Sequence, residues 1–119
     1  MLPKKNRLTK KKDFEKAYQK GRKFFLKSGD VIINIAENDK LDTRAGFLVG
    51  KSFSGKAAYR NKMKRTLREV FHQQLKNIKP GFDIVISCKS NNQNKEQINY
   101  TEAPRQLMKL LEKSKLLKK

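Results

Sequence analysis

Residues 50 to 65, GKSFSGKAAYRNKMKR, contain two arrangements that could meet phosphate. The first half, Gly50 to Ala57, reads G-x-x-x-x-G-K-A. It differs by one residue from the nucleotide-cradling loop, whose backbone amides hold phosphates and whose last serine or threonine ligates magnesium. The apolar FLV before it and the helical pattern after it supply the strand and helix such a loop requires. Ala57, however, has no hydroxyl to give the metal. The acid that should organise that metal also fails, because Asp83 opens the apolar segment FDIVIS and would project from its other end. Folds built around such loops also have more parallel strands than 119 residues provide. A nucleotide-hydrolysing reading therefore stands as the weaker alternative.

The second half crowds cations onto a helix. On a wheel at roughly 100° per residue, Tyr59, Met63, Leu67, Val70 and Phe71 fall in one sector, the expected core stripe. Arg60, Asn61, Lys64, Arg65 and Arg68 fall in a second sector centred roughly 115° away. From Lys51 to Arg68 there is no acidic residue, and Glu69 is within reach of Arg65 one turn back. Like charges at i, i+4 repel, so this face is unfavourable unless phosphates neutralise it. Arginine's planar fork suits phosphate and base edges better than a lysine point charge does, which favours a binding face over a merely solvated one. Asn61 adds a donor and an acceptor suited to a base edge or a 2′-hydroxyl.

Other chemistry finds less support. A protein nuclease gathers two or three carboxylates around metal, yet between Lys51 and Pro80 the only acid is Glu69. His72 is the single histidine and could in principle act as a base oriented by Glu69, but no nucleophile or metal cluster completes a site. Phe14 and Tyr18 share a helix side amid Lys10, Lys11, Lys12, Lys16 and Lys20, a mixture suited to stacking bases while tracking a backbone. Each ring could equally belong to the core. RAGFLV superficially resembles the aromatic strand of an RNA-recognition motif, but its second aromatic is missing and the element order is wrong.

The elements that must position these residues follow from periodicity. Thr9 can cap a first helix over 9 to 20, which Gly21 ends in a left-handed conformation. GRKFFLK reads as a short strand, and VIINIA and TRAGFLVG as two strands joined by ENDKLD into an antiparallel hairpin. The helical period after Gly55 runs to Lys79-Pro80-Gly81, FDIVISC (82 to 88) is the strongest strand, and KSNNQNKEQ follows as a polar run. A last helix starts near Thr101, with Pro104 in its first turn and Leu107, Leu110 and Leu111 as its buried stripe. The order α-β-β-β-α-β-α gives an α+β domain, a small sheet with helices packed on it, spanning residues 1 to 119 as a single RNA-binding domain.

Composition sets the partner. Lys and Arg number 30 against 11 Asp and Glu, a net charge of +19, which points to nucleic acid ahead of an anionic membrane surface. No apolar run approaches the roughly 18 residues of a membrane span, and MLPKKNRLTKKK lacks the apolar region of an export signal. The lone Cys88 forms no internal disulfide, consistent with a cytoplasmic protein.

These residues resemble the protein component of bacterial ribonuclease P. The resemblance spans nearly the whole chain: KKNRL near the start, DFxxxYxxG at 13 to 21, GFLVGKS, and above all KAAYRNKMKRTLREVF at 56 to 71, which is similar to the family's RNR helix. Lys62 stands where the third RNR position is usually arginine, and Ala58 where valine is frequent. The resemblance implies a two-layer α/β sandwich with a small mixed sheet and a left-handed βαβ crossover, against the usual hand, similar to a domain of ribosomal small-subunit proteins. It implies an accessory subunit whose partner RNA is the catalyst, removing the 5′ leader of precursor tRNA with Mg²⁺ held mainly by the RNA and none bound tightly by the protein. Arg60, Asn61, Lys62, Lys64, Arg65 and Arg68 would contact the catalytic RNA. Phe14, Tyr18, Lys51 and Ser52 would line the leader's path, with Lys4, Lys5, Asn6 and Arg7 near it. No catalytic residue is expected in the protein. A structural, ribosomal-type RNA binder is the competing class.

Overall fold

The computed structural model describes residues 2–26, 29–51, 53–89 and 100–117. Its elements are α1 (Lys11–Lys20), β1 (Arg22–Phe25), β2 (Val31–Glu37), β3 (Arg44–Val49), α2 (Ala57–Gln74), β4 (Phe82–Cys88) and α3 (Glu102–Lys113), with short 3-10 turns at Lys4–Asn6 and Leu75–Asn77. This is the α+β sequence of elements that periodicity predicts.

The sheet order is β1-β2-β4-β3. β2 and β3 do not form the expected hairpin, because β4 lies between them, antiparallel to β2 and parallel to β3. The reason is in β4 itself: from Asp83 to Cys88 every residue is buried, so this strand needs a partner on both edges as well as cover on both faces. An edge position would leave its backbone groups unpaired. The connection β3-α2-β4 is therefore a parallel crossover with α2 as its helix.

Strand alternation divides the sheet into two unlike faces. Val31, Ile33, Ile35, Ile84, Ile86 and Cys88 point to one side, where Met63, Leu67 and Phe71 of α2 and Leu107, Leu110 and Leu111 of α3 close the main core. The other side is covered by α1 and the N-terminal segment before it, through a small cluster of Leu8, Ala17 and Val85 with Phe14 and Ala36 packed against it.

Two helix-end expectations and one core expectation change. Lys10, not Thr9, is the N-cap of α1, with its carbonyl accepting the amides of Asp13 and Phe14. Gly21 is extended (φ −80°, ψ 164°), not left-handed. Its smallness matters for another reason, since a Cβ there would run into the carbonyl oxygens of Ala17 and Ile35. The left-handed glycine is Gly81 (φ 90°), in the turn before β4. Tyr59 is more than a third exposed and not core, in the first turn of α2 where Ala57 and Ala58 are exposed too; Lys56 Nζ sits 5.4 Å from its ring centre.

Candidate nucleic-acid interface

The burial of Met63, Leu67 and Phe71 fixes the rotation of α2 and so directs the rest of the helix. Arg60, Asn61, Lys64, Arg65 and Arg68 lie together on its accessible side, Asn61 and Arg65 exposed and the other three half-buried. Arg60 Nη1 donates to the Ser54 carbonyl at 3.0 Å. The Arg68 guanidinium stands 5.7 Å from the Phe47 ring centre, and Phe47 meets Phe71 edge-on at 6.1 Å. Two of these arginines are thus held by neutral contacts that leave their charge intact. Among the described residues the ion pairs are Lys11–Glu15, Arg44–Asp13 and Arg44–Asp83. None involves α2, and Glu69 does not close on Arg65.

Lys62 stands apart from its neighbours. At roughly 100° per residue it lies about 130° around the helix from the centre of the cationic sector. There its Nζ sits 4.3 Å from the ring centre of Tyr100, beside the start of α3. Burial first, and the nearby Tyr59 second, hold the Tyr100 phenol above its ordinary pKa.

The α1 side of the sheet carries the second cluster. Phe14 packs against Gly46, where any Cβ would collide with the ring. Tyr18 and Ser87 share a hydroxyl hydrogen bond of 2.9 Å while 48% of the tyrosine stays exposed. Just past the helix, the register aligns Phe25, Ile32, Ser87 and Leu48 in one row across all four strands. Three strand spacings make that row about 14 Å long. Its ends are exposed, Phe25 by 55% and Leu48 by 38%, and Lys23 Nζ sits 6.0 Å from the Phe25 ring centre. Lys51 is exposed in the turn after β3, at the same end of the sheet as this row. Ser52 lies outside the described residues. Gly50 and Gly55 have open space where a Cβ would be and no positive φ, so sterics do not require glycine at either place.

The N-terminal basic residues divide as well. Lys4, Lys5 and Arg7 are exposed, but Asn6 is buried and its Nδ2 donates to the Thr43 carbonyl at 2.8 Å. With the Leu8 amide on the Ala45 carbonyl at 2.9 Å, this segment runs along the free edge of β3.

Arg44 is the residue that sequence reasoning missed. Its Nε and Nη2 donate to the two oxygens of Asp83 at 2.8 and 2.7 Å, and Nη2 approaches Asp13 of α1 at 3.4 Å. Asn38 Nδ2 adds a bond of 2.9 Å to Asp83. The hydrogen bond to Asp83 is the main reason the Arg44 pKa is raised, against an opposing effect of burial. Asp83 therefore does sit at the end of the sheet away from Gly50, as its place in FDIVIS predicts. Asp13 and Asp83 do not fit a divalent cation, because a guanidinium occupies the space between them. More generally, no three His, Cys, Asp or Glu side chains among the described residues form a metal-holding group. Nor is any described helix long and apolar enough to cross a membrane.

The fold is thus a mixed α+β domain that carries an acid-poor cationic helix on a parallel crossover and, on the opposite face of its sheet, an open shelf ending in Phe25 and Leu48. The chain belongs to the ribonuclease P protein family, whose profile matches residues 2–115. It is 35% identical over 117 residues to the ribonuclease P protein component of Pseudanabaena sp., covering 98% of this chain and 97% of that one. The counterpart from Oceanobacillus iheyensis is also 35% identical over 117 residues, 98% of this chain and 93% of the relative. Among solved structures, the Staphylococcus aureus RNase P protein superposes with a TM-score of 0.77 at 26% identity, covering 94% of this chain and 97% of the other. The Thermotoga maritima protein superposes with a TM-score of 0.73 at 30% identity, covering 90% and 96%. The chain is accordingly a tRNA-processing subunit of an endoribonuclease.

Proposed function

We propose that the protein binds the catalytic RNA of ribonuclease P through α2 and guides the 5′ leader of precursor tRNA along the α1 side of the sheet. The observation that carries this reading is the cationic face of α2, which meets no acid among the described residues. Arg60, Asn61, Lys64, Arg65 and Arg68 form the RNA contact, with Lys62 at its flank on the Tyr100 side. Unpaired cations at i, i+4 are stabilised when a phosphate backbone lies across them and its counterions are released.

The leader, as a single strand, stacks on Phe14, Tyr18 and the shelf that Phe25 and Leu48 close, while Lys51, Ser52 and the basic N-terminal residues Lys4, Lys5 and Arg7 track its phosphates. Asn6, buried against Thr43, shapes the segment instead of touching RNA. Hydrolysis belongs to the RNA, which holds the Mg²⁺; the protein contributes no catalytic residue and works in the cytoplasm.

Cleavage of precursor tRNA by the cognate catalytic RNA, with and without the protein, tests this. The protein should raise kcat/KM, more for a long leader than for a one-nucleotide leader, and should cleave nothing alone. Activity from the protein alone would overturn the accessory role. Co-sedimentation with ribosomes and no stimulation would instead favour a structural rRNA binder.

A further inference from the structure

The N-terminal segment and α2 are far apart in sequence, but they meet at one cavity. It has a volume of about 290 Å³ and lies where the N-terminal segment, the edge of β3 and α2 come together. Arg7, Thr9 and Arg68 give it polar lining, and Leu8, Phe14, Ala45 and Phe47 an apolar wall.

Both guanidinium groups are fixed before any ligand arrives. Arg7 is anchored through Nε to the Leu2 carbonyl at 2.8 Å, which leaves its terminal nitrogens to donate elsewhere. Arg68 is anchored over Phe47 at 5.7 Å. Neither has a carboxylate partner among the described residues. Such preorganised forks suit phosphate oxygens.

The rest of the lining narrows the ligand. A free inorganic anion would have no use for the apolar wall, and an apolar ligand would have no use for the two arginines. A nucleotide uses both, its base on the wall and its phosphate at the rim. The volume is near the lower end of the roughly 300–1,000 Å³ of small-molecule pockets, which admits one nucleotide and no duplex. Bases in a duplex are stacked and hidden, so the nucleotide must come from an unpaired stretch.

Resting on the RNA-binding reading above, we infer that this cavity receives a single unstacked nucleotide whose phosphate is shared between Arg7 and Arg68. The catalytic RNA and the precursor leader offer the same chemistry, and the experiment separates them.

Arg7→Gln, Arg68→Gln and the double variant are titrated with catalytic RNA, and as assembled holoenzyme with precursor tRNA, over a range of salt, after thermal melts establish folding. Each single variant should lose about tenfold in affinity for whichever RNA supplies the nucleotide. The log–log salt slope should fall by about one unit, and the double variant should lose little more, because one phosphate is counted once. Losses that multiply, with a slope change of about two units, would mean two separate phosphates and overturn the inference. Unchanged affinity in all three would overturn it too; if Arg60→Gln and Arg65→Gln still weaken binding, the reading of α2 survives that failure. Should the glutamine variants unfold, Thr9→Cys carrying an aryl azide gives the independent measurement, since Cys88 is buried. Crosslinking at one unpaired nucleotide, in the catalytic RNA or in the leader, is the expected result and identifies the source. Crosslinks confined to paired regions, or spread without preference, would overturn the inference.

Discussion

Arg44 grips both oxygens of Asp83 at 2.8 and 2.7 Å and reaches Asp13 at 3.4 Å, whereas Arg60, Arg65 and Arg68 meet no carboxylate among the described residues. The side chain is the same, and the surroundings assign it opposite work. Arg44 bridges β3, β4 and α1, so it fixes the helix that carries Phe14 and Tyr18 over the sheet. On α2, Arg60 is held by a carbonyl and Arg68 over an aromatic ring, contacts that leave their charge intact. Where this chain closes on itself, acids pair with the arginine; on α2 the one acid, Glu69, pairs with none of them.

Breaking the internal site should have the largest effect. Arg44→Ala leaves Asp83, 4% exposed, without its counter-charge, and stability measured by urea unfolding should fall by about 3–5 kcal/mol. A loss below about 1 kcal/mol would place Arg44 with the surface cations instead. Next comes the seat of α1. Gly46→Ala pushes a methyl into the Phe14 ring, with an expected loss of about 1–3 kcal/mol and weaker leader binding in the holoenzyme. Unchanged melting would show that the ring does not rest there.

Cys88 offers a pH-dependent check on the buried end of β4. Burial, with a smaller contribution from Asp30, pushes its thiol up to about 12 from an ordinary 9.0. The unfolded chain ionises this thiol first, so its contribution is fully present below about pH 9 and is lost as pH rises toward the folded value. The slope reaches about 1.4 kcal/mol per pH unit. The difference between wild type and Cys88→Ala across that window isolates the thiol from the titrating lysines, and a difference independent of pH would contradict its burial. The smallest stability effect belongs to the outward face: Arg65→Gln should change stability by less than about 0.5 kcal/mol while still weakening RNA binding.

The contrast between these regions also explains what was legible in the sequence. The face of α2 is a local property, because a 3.6-residue period and an acid-free run define it without reference to any other segment. Its one misplaced member of the core stripe, Tyr59, sits in the exposed first turn of the helix, and periodicity does not report where along its length a helix is covered. Strand identity was equally local, and FDIVISC corresponds to β4 residue for residue. Strand pairing was not. ENDKLD looks like a hairpin turn, yet β4, about forty residues further on, inserts between the two strands. Arg44 could not be recognised without that insertion, since only the parallel register of β3 on β4 sets it against Asp83. The shelf of Phe25, Ile32, Ser87 and Leu48 was invisible for the same reason, being assembled from four strands by their register. Lys62 belongs by motif to the cationic face but by helical angle to the Tyr100 side, and only the angle decides where it points.

The central claim is that the unpaired arginines of α2 are kept for RNA phosphates. Its most direct test is the log–log salt dependence of affinity for the cognate catalytic RNA, compared between wild type and an Arg60→Gln, Arg65→Gln double variant. The account predicts a slope shallower by about two units in the variant, with urea unfolding nearly unchanged. An identical slope in both proteins would contradict it.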